Sequence, residues 1–415
     1  MRSNRRICGL ALLLASGLAL ADDASFIEWA RTRAAPIEAE GKEFASLDSR
    51  LDGVRLIGVG ESVHEAEPFL AFRAALLQDL VRRHRVTALV LESGLPEVRA
   101  MDDYIRGRTS TVDFNAALPG GHGTLAGVRL TMEWLREWNL GTGRAHPVSI
   151  YGADLPVRSG SMVPALDALA ELAKGNAQIA SSIDEVRPLA LQVAHTWWKG
   201  ATGKYAAMPT ESKAALATGV ARLVAAVEGA SGPDTERLEW GRRNAFVVQQ
   251  FEEMLRLGAF HPAMSRNRTL AGNALWVVGR LPRDERAVFW AHNAHVQRAR
   301  VKSQSLPPPG DYPSTGSYLH EALGAQYLAI GTAYGGPSLD KSAAPEAGSV
   351  DAVLEEVMSP PYLLTLPADR PAAVERWLKA ERPMRFQVGS VSLPLGAGFD
   401  AIAYFPAARK AAKAP

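Results

Sequence analysis

Apolar positions along this chain follow two rhythms. In the first, short apolar runs are cut off by polar residues or glycine. Runs at 54–59, 87–91, 148–151, 287–291, 326–330, 362–366 and 401–405 have this form. Their length and their β-branched and aromatic content predict strands. In the second, apolar residues recur every three or four positions. Phe69, Phe72, Leu76, Leu77 and Leu80 do so within 68–83, which predicts an amphipathic helix. Segments 96–105, 130–139, 265–278, 319–323 and 371–380 read as helices too, and 25–47 reads as a helix interrupted at Pro36. Strands alternating with helices argue for an α/β fold, a mostly parallel central sheet flanked by helices.

The middle of the chain breaks this alternation. From about 161 to 260 the sequence is rich in Ala, Leu, Glu and Arg and has little strand pattern. It predicts an all-helical insertion, with breaks at 200–203 and 229–233. Residues 120–129 form a Gly-rich loop containing GGHG, and 332–337 a turn. The stretch SQSLPPPGDYPS (303–314) is a loop, because its proline density forbids regular structure. Residues 407–415 form a basic, Ala-rich tail expected to fray.

Composition changes this picture only at the N-terminus. The 415 residues are 47% hydrophobic and carry a formal charge of +2, so a sizeable core is expected and no global field steers the chain to nucleic acid or an anionic membrane. Arg2, Arg5 and Arg6 precede an uncharged apolar stretch, and Ala19-Leu20-Ala21 is a small-x-small site. That is the layout of a secretory signal peptide over 1–21, too short for the ~20 residues that span a bilayer. It predicts a periplasmic or secreted protein with no membrane association after cleavage. The domain would then run over 22–406. Cys8 is the only cysteine and lies inside this signal, so no disulfide or thiol chemistry remains. The oligomeric state is left open.

Candidate chemistry collects where apolar runs stop. The first run ends in Glu61-Ser62-Val63-His64, the second at Glu92, the third at Asp154, and AVFWA at His292-Asn293-Ala294-His295. In open α/β sheets the carboxyl ends of the strands form the ligand crevice. Each residue has a plainer alternative. Glu61 and Asp154 suit a helix cap as well as a site. Glu92 ends a fully apolar run, and a carboxylate buried there needs a partner. The HxxH pair after a buried strand favours a site over core filling. His84, His146, His195, His261 and His320 lack such context, and His122 in GGHG is a candidate lid residue.

Three chemistries fit. Phosphate cradling is the weakest, because GVGES lacks the P-loop pattern and a third dinucleotide glycine. A metal could be held by His64, His292, His295 and Glu61, though no HExxH or CxxC supports it. Hydrolysis by activated water needs a histidine base, a carboxylate to orient it, and an oxyanion partner. No GxSxG elbow is present, so water rather than a serine is the expected nucleophile.

IGVGESVHEAEPFLAFRAALLQDLV, TALVLESG, AVFWAHNAHVQR and STGSYLHEALGAQYLAIGTAYG, in this order, resemble the erythromycin esterase family. EWLREWN with YGADL, and SRNRTLAGN, are similar in kind, and the resemblance runs from about 51 to 336. It implies an α/β hydrolase-like core, distinct from the α/β-hydrolase fold, and an ester hydrolase of the type that opens the macrolactone of erythromycin-type antibiotics. No cofactor is implied and the reaction is expected to be metal-independent. The family's catalytic histidine falls on His64 and its acid on Glu61. Its arginine falls on Arg73, its second acid on Glu92 and its paired histidines on His292 and His295. In this reading His64 takes a proton from water oriented by Glu61 or Glu92, and Arg73 with His292 or His295 steadies the oxyanion. Val63 and Glu65 depart from the family's threonine and glycine, which leaves the substrate open. The rival class is an exported haem- or metal-binding protein using the same histidines as ligands.

Overall fold

The computed structural model describes residues 21–37, 42–156, 158–257, 262–303, 310–336, 344–387 and 389–414. The signal-peptide expectation therefore lies outside the described residues except for Ala21, as does His261.

Eight strands build the main sheet. They are β1 (Ala34–Pro36), β2 (Leu56–Glu61), β3 (Val86–Gly94), β4 (Ser149–Asp154), β5 (Arg286–His292), β8 (Tyr327–Tyr334), β9 (Tyr362–Thr365) and β12 (Ala401–Phe405). Their order is β1-β9-β12-β8-β2-β5-β3-β4. The six strands from β12 to β4 are mutually parallel, and β9 and β1 add an antiparallel edge. β2, β5 and β8 are buried along nearly their whole length, which is why they read as continuous apolar runs. Helices cover both faces. Phe69, Phe72, Leu76, Leu77 and Leu80 of the helix Glu67–Arg83 pack on one face, while Leu270, Ala274 and Val277 of the helix Pro262–Arg280 pack on the other.

Between β4 and β5 the described residues hold helices and no strand. Val163–Ala173, Ala177–Val193, Trp198–Ala207, Thr210–Glu228 and Thr235–Leu257 share an apolar core of their own around Leu169, Val186, Leu223 and Phe251. The break expected at 200–203 is absent, since Gly200 and Gly203 lie inside a helix. None of the described helices is long and apolar enough to cross a membrane.

The sequence pattern misses a second sheet. It is antiparallel, with order β10-β11-β6-β7, from β6 (Val301–Ser303), β7 (Gly310–Tyr312), β10 (Glu381–Phe386) and β11 (Gly389–Pro394). The described ends of the proline-rich loop thus pair as β6 and β7. β10 and β11 bury only Met384, Phe386, Val391 and Leu393, and Arg382, Pro383 and Arg385 obscure the alternation.

The tail does not fray. The Glu67 N–H donates to the Arg409 carbonyl, Ala411 N–H to Glu65, Ala126 N–H to Ala412 and Ala414 N–H to Thr124, all at 2.8–3.0 Å. Four backbone groups of 409–414 are thus paired with two loops of the main domain.

Candidate active site

The acids and histidines Glu61, His64, Glu92, Asp154, His292 and His295 are delivered by the carboxyl edge of four adjacent parallel strands. β5 lies between β2 and β3, and Glu61 and His292 are register partners at their ends. Gly60 is required there: a Cβ would come within 2.2 Å of the Asn293 amide oxygen. That amide crosses to β8, donating to the Thr332 carbonyl and accepting from the Thr332 N–H. The glycine thus permits a close strand exit.

His64 follows in a turn after β2. Its Nδ1 lies 2.7 Å from Glu61 Oε1. Glu61 is 3% exposed, and its other oxygen pairs with Arg73 at 2.9 Å. Burial pushes the Glu61 carboxyl up, but Arg73 and the His64 hydrogen bond outweigh it and hold the pKa at about 2. An ionised carboxylate can only accept, so Nδ1 of His64 carries the proton. The Nε2 lone pair of the neutral ring is then left for chemistry. Nothing among the described residues bonds to it.

His292 is fully engaged. Its Nε2 donates to the Ser62 carbonyl at 2.9 Å, and its Nδ1 accepts from the Ala294 N–H at 3.1 Å. Burial, with His64 nearby, pushes its pKa down to about 3, so it stays neutral. Its ring centroid lies 4.9 Å from that of His64. His295 is also spoken for. Arg266 donates to its Nε2 at 3.0 Å, and its Nδ1 donates to the Asn267 oxygen at 2.7 Å.

Glu92 is 5% exposed. One oxygen accepts from Arg266 at 2.7 Å and the other from the His292 backbone N–H at 2.7 Å. Burial opposes its ionisation, but the His295 ring and Arg266 hold it well below the usual carboxylate range. Asp154 caps no helix, since the next one starts at Val163 with Met162 at its cap. It forks onto Arg266, at 3.0 Å to Nε and 2.6 Å to Nη2. Arg73 faces Glu61 and lies over the Trp290 ring at 5.0 Å, rather than reaching the open cleft.

A cleft of about 240 Å³ opens beside these groups, lined by His64, Glu92, Arg266, Asn267, His292, His295, Tyr312 and Gln387 among others. A smaller pocket of about 40 Å³ shares Glu92 with the cleft and is lined by Glu61, Arg73, His122, Leu125, Met132 and Trp290 among others. His122 faces His64 there, ring centroids 6.2 Å apart, and burial holds its pKa at about 3.

Sequence reasoning therefore located the strand ends and Arg73, the partner of Glu61, but not the other partners. Arg266, Asn267, Tyr312 and Gln387 come from other elements. SRNRT carried the only local hint of Arg266, a basic residue on a helix just before β5. The four groups expected for a metal are not assembled as ligands, because His292 and His295 spend their nitrogens elsewhere. Among the described residues no three His, Cys, Asp or Glu side chains converge as a metal site requires.

The erythromycin esterase family model matches residues 81–408. This chain belongs to the erythromycin esterase family. Glu92, His292 and His295 lie within the matched stretch, while Glu61, His64 and Arg73 precede it. Erythromycin esterase type I of Escherichia coli is 24% identical, with 92% of this chain and 97% of that protein covered. Type II, also of Escherichia coli, is 20% identical over 75% of this chain and 78% of its own. The fold is shared with a mutant of the erythromycin esterase EreC in its open conformation, at a TM-score of 0.75, 20% identity and coverage of 92% and 98%. As an erythromycin esterase family member the protein is a hydrolase acting on a small-molecule ester.

Proposed function

We propose that the protein hydrolyses the ester of a lactone, a macrolactone foremost, with water activated by His64. One observation carries this reading: an ionised Glu61 fixes the His64 proton on Nδ1 at 2.7 Å and leaves Nε2 free beside an open cleft. Nε2 takes a proton from water as the water oxygen bonds to the ester carbonyl. The resulting imidazolium is stabilised by Glu61, which Arg73 holds in place. As the tetrahedral intermediate collapses, the carbonyl–alkoxide bond breaks and Nε2 returns the proton to the departing alcohol. General-base help of this kind contributes on the order of 10²–10⁴ in rate.

The oxyanion role moves in this reading from Arg73 to Arg266. Arg266 lines the cleft, and its guanidinium is held by Glu92 and Asp154. A cation fixed by two buried carboxylates needs no reorganisation when charge develops on the carbonyl oxygen. Glu92 and His292 act as supports rather than as acids or bases. The basic, apolar N-terminal layout supports an address outside the cytoplasm.

A mass-spectrometric screen for the gain of one water tests the proposal. Macrolides, smaller lactones and aryl esters are each incubated with the purified protein. Hydrolysis of at least one lactone is expected, and inertness toward all three classes would sink the reading.

A further inference from the structure

The hairpin of β10 and β11 ends against the His64 turn, and Gln387 at its tip has a φ of +53°. Side chains other than glycine and asparagine rarely adopt that conformation, and when they do it is commonly at a functional site. In it, the Gln387 N–H donates to the Ser62 carbonyl at 2.6 Å. Its side-chain Oε1 accepts from the His64 N–H at 3.0 Å. A single residue thus grips the turn on both sides of Val63.

The grip extends to the second histidine. The Ser62 carbonyl that accepts from Gln387 also accepts from His292 Nε2. Phe386, the preceding residue, packs edge-on against the His292 ring at 5.5 Å. The tip is itself anchored. The Arg385 N–H donates to buried Asp351 at 2.8 Å, and its guanidinium donates to the carbonyls of Tyr334, Gly335 and Gly336 where β8 ends.

We infer that Gln387 is a positioning residue for the hydrolysis: by holding the 62–64 turn it sets where His64 Nε2 meets the water and the ester carbonyl. It touches no reacting atom and acts through His64. The inference rests on the reading of His64 as the base. Reacting groups must be held within a fraction of an ångström, and a misplacement of about 1 Å costs about 10²-fold in rate.

Two variants separate positioning from bulk stability. Gln387→Gly keeps the N–H bond to Ser62 and relieves the positive φ, but removes the acceptor for His64. Gln387→Glu keeps an acceptor oxygen at the same reach. On an ester that the wild type hydrolyses, Gln387→Gly is expected to lose about tenfold to hundredfold in kcat with little change in KM. It should retain a cooperative melting transition. Gln387→Glu should recover most of kcat at the plateau of its pH profile. Nitrogen-15 spectra of the His64 ring, assigned by their loss in His64→Asn, need no substrate. In Gln387→Gly the Nδ1 signal should move as its bond to Glu61 loosens. Unchanged kcat and unchanged ring signals in Gln387→Gly would overturn the inference. If the wild type hydrolyses no ester but the ring signals still move, the clamp stands and the hydrolase reading falls.

Discussion

Glu65, beside His64, has a φ of +60°, a conformation that favours glycine. An L-residue in that region costs roughly 1–2 kcal/mol, part of which glycine forfeits again through the entropy of the unfolded chain. Glu65→Gly should therefore raise unfolding free energy by up to about 1 kcal/mol in urea titration. Arg266 shows the opposite case. It neutralises Glu92 and Asp154, whose side chains are 5% and 1% exposed. Arg266→Met leaves two buried carboxylates without their cation, so a loss of about 3–5 kcal/mol is expected by the same titration. Arg266→Lys should fall between, because a single ammonium cannot reproduce the fork.

At the scale of elements, the tail and the small sheet explain what the sequence concealed. Residues 409–414 stitch the turn after His64 to the loop carrying His122, almost entirely through backbone groups. Backbone pairing leaves no side-chain pattern to read, which is why a basic Ala-rich tail looks unstructured. Deleting 407–415 should expose the amides of Glu67 and Ala126, whose exchange with deuterium would quicken by at least tenfold while β2 and β5 stay protected. An unchanged exchange rate at both would mean that the strap holds nothing. The strand ends were legible because each is a buried run that stops at a polar residue, as Glu92 after TALVL shows. Gln387 was not, since its role depends on a tertiary approach across 323 positions and on one backbone angle. The metal-ligand set failed for a related reason: spacing reveals HxxH but not where the four nitrogens of His292 and His295 point.

In the whole molecule, the parallel sheet gathers acids and histidines at one edge, and burial there couples protonation to folding. The His292 pKa of about 3 lies below its ordinary ~6.5. The unfolded chain binds a proton at this ring below about pH 6.5, while the native ring resists until about pH 3. Its contribution to stability is thus full above pH 6.5 and is lost as pH falls through that window, on the order of 5 kcal/mol in total. His122 acts in the same direction. Buried Asp351 acts oppositely, because burial raises its pKa to about 6. A His292→Gln variant isolates the first effect: its urea midpoint should fall less than that of the wild type between pH 6.5 and pH 4. All of this charge organisation converges on one imidazole nitrogen, so the most direct test is kinetic. The kcat of His64→Asn, measured on the lactone that the wild type opens best, should fall by at least about 10²-fold with the circular dichroism spectrum and melting transition retained. A folded His64→Asn protein that hydrolyses the lactone at the wild-type rate would contradict the account.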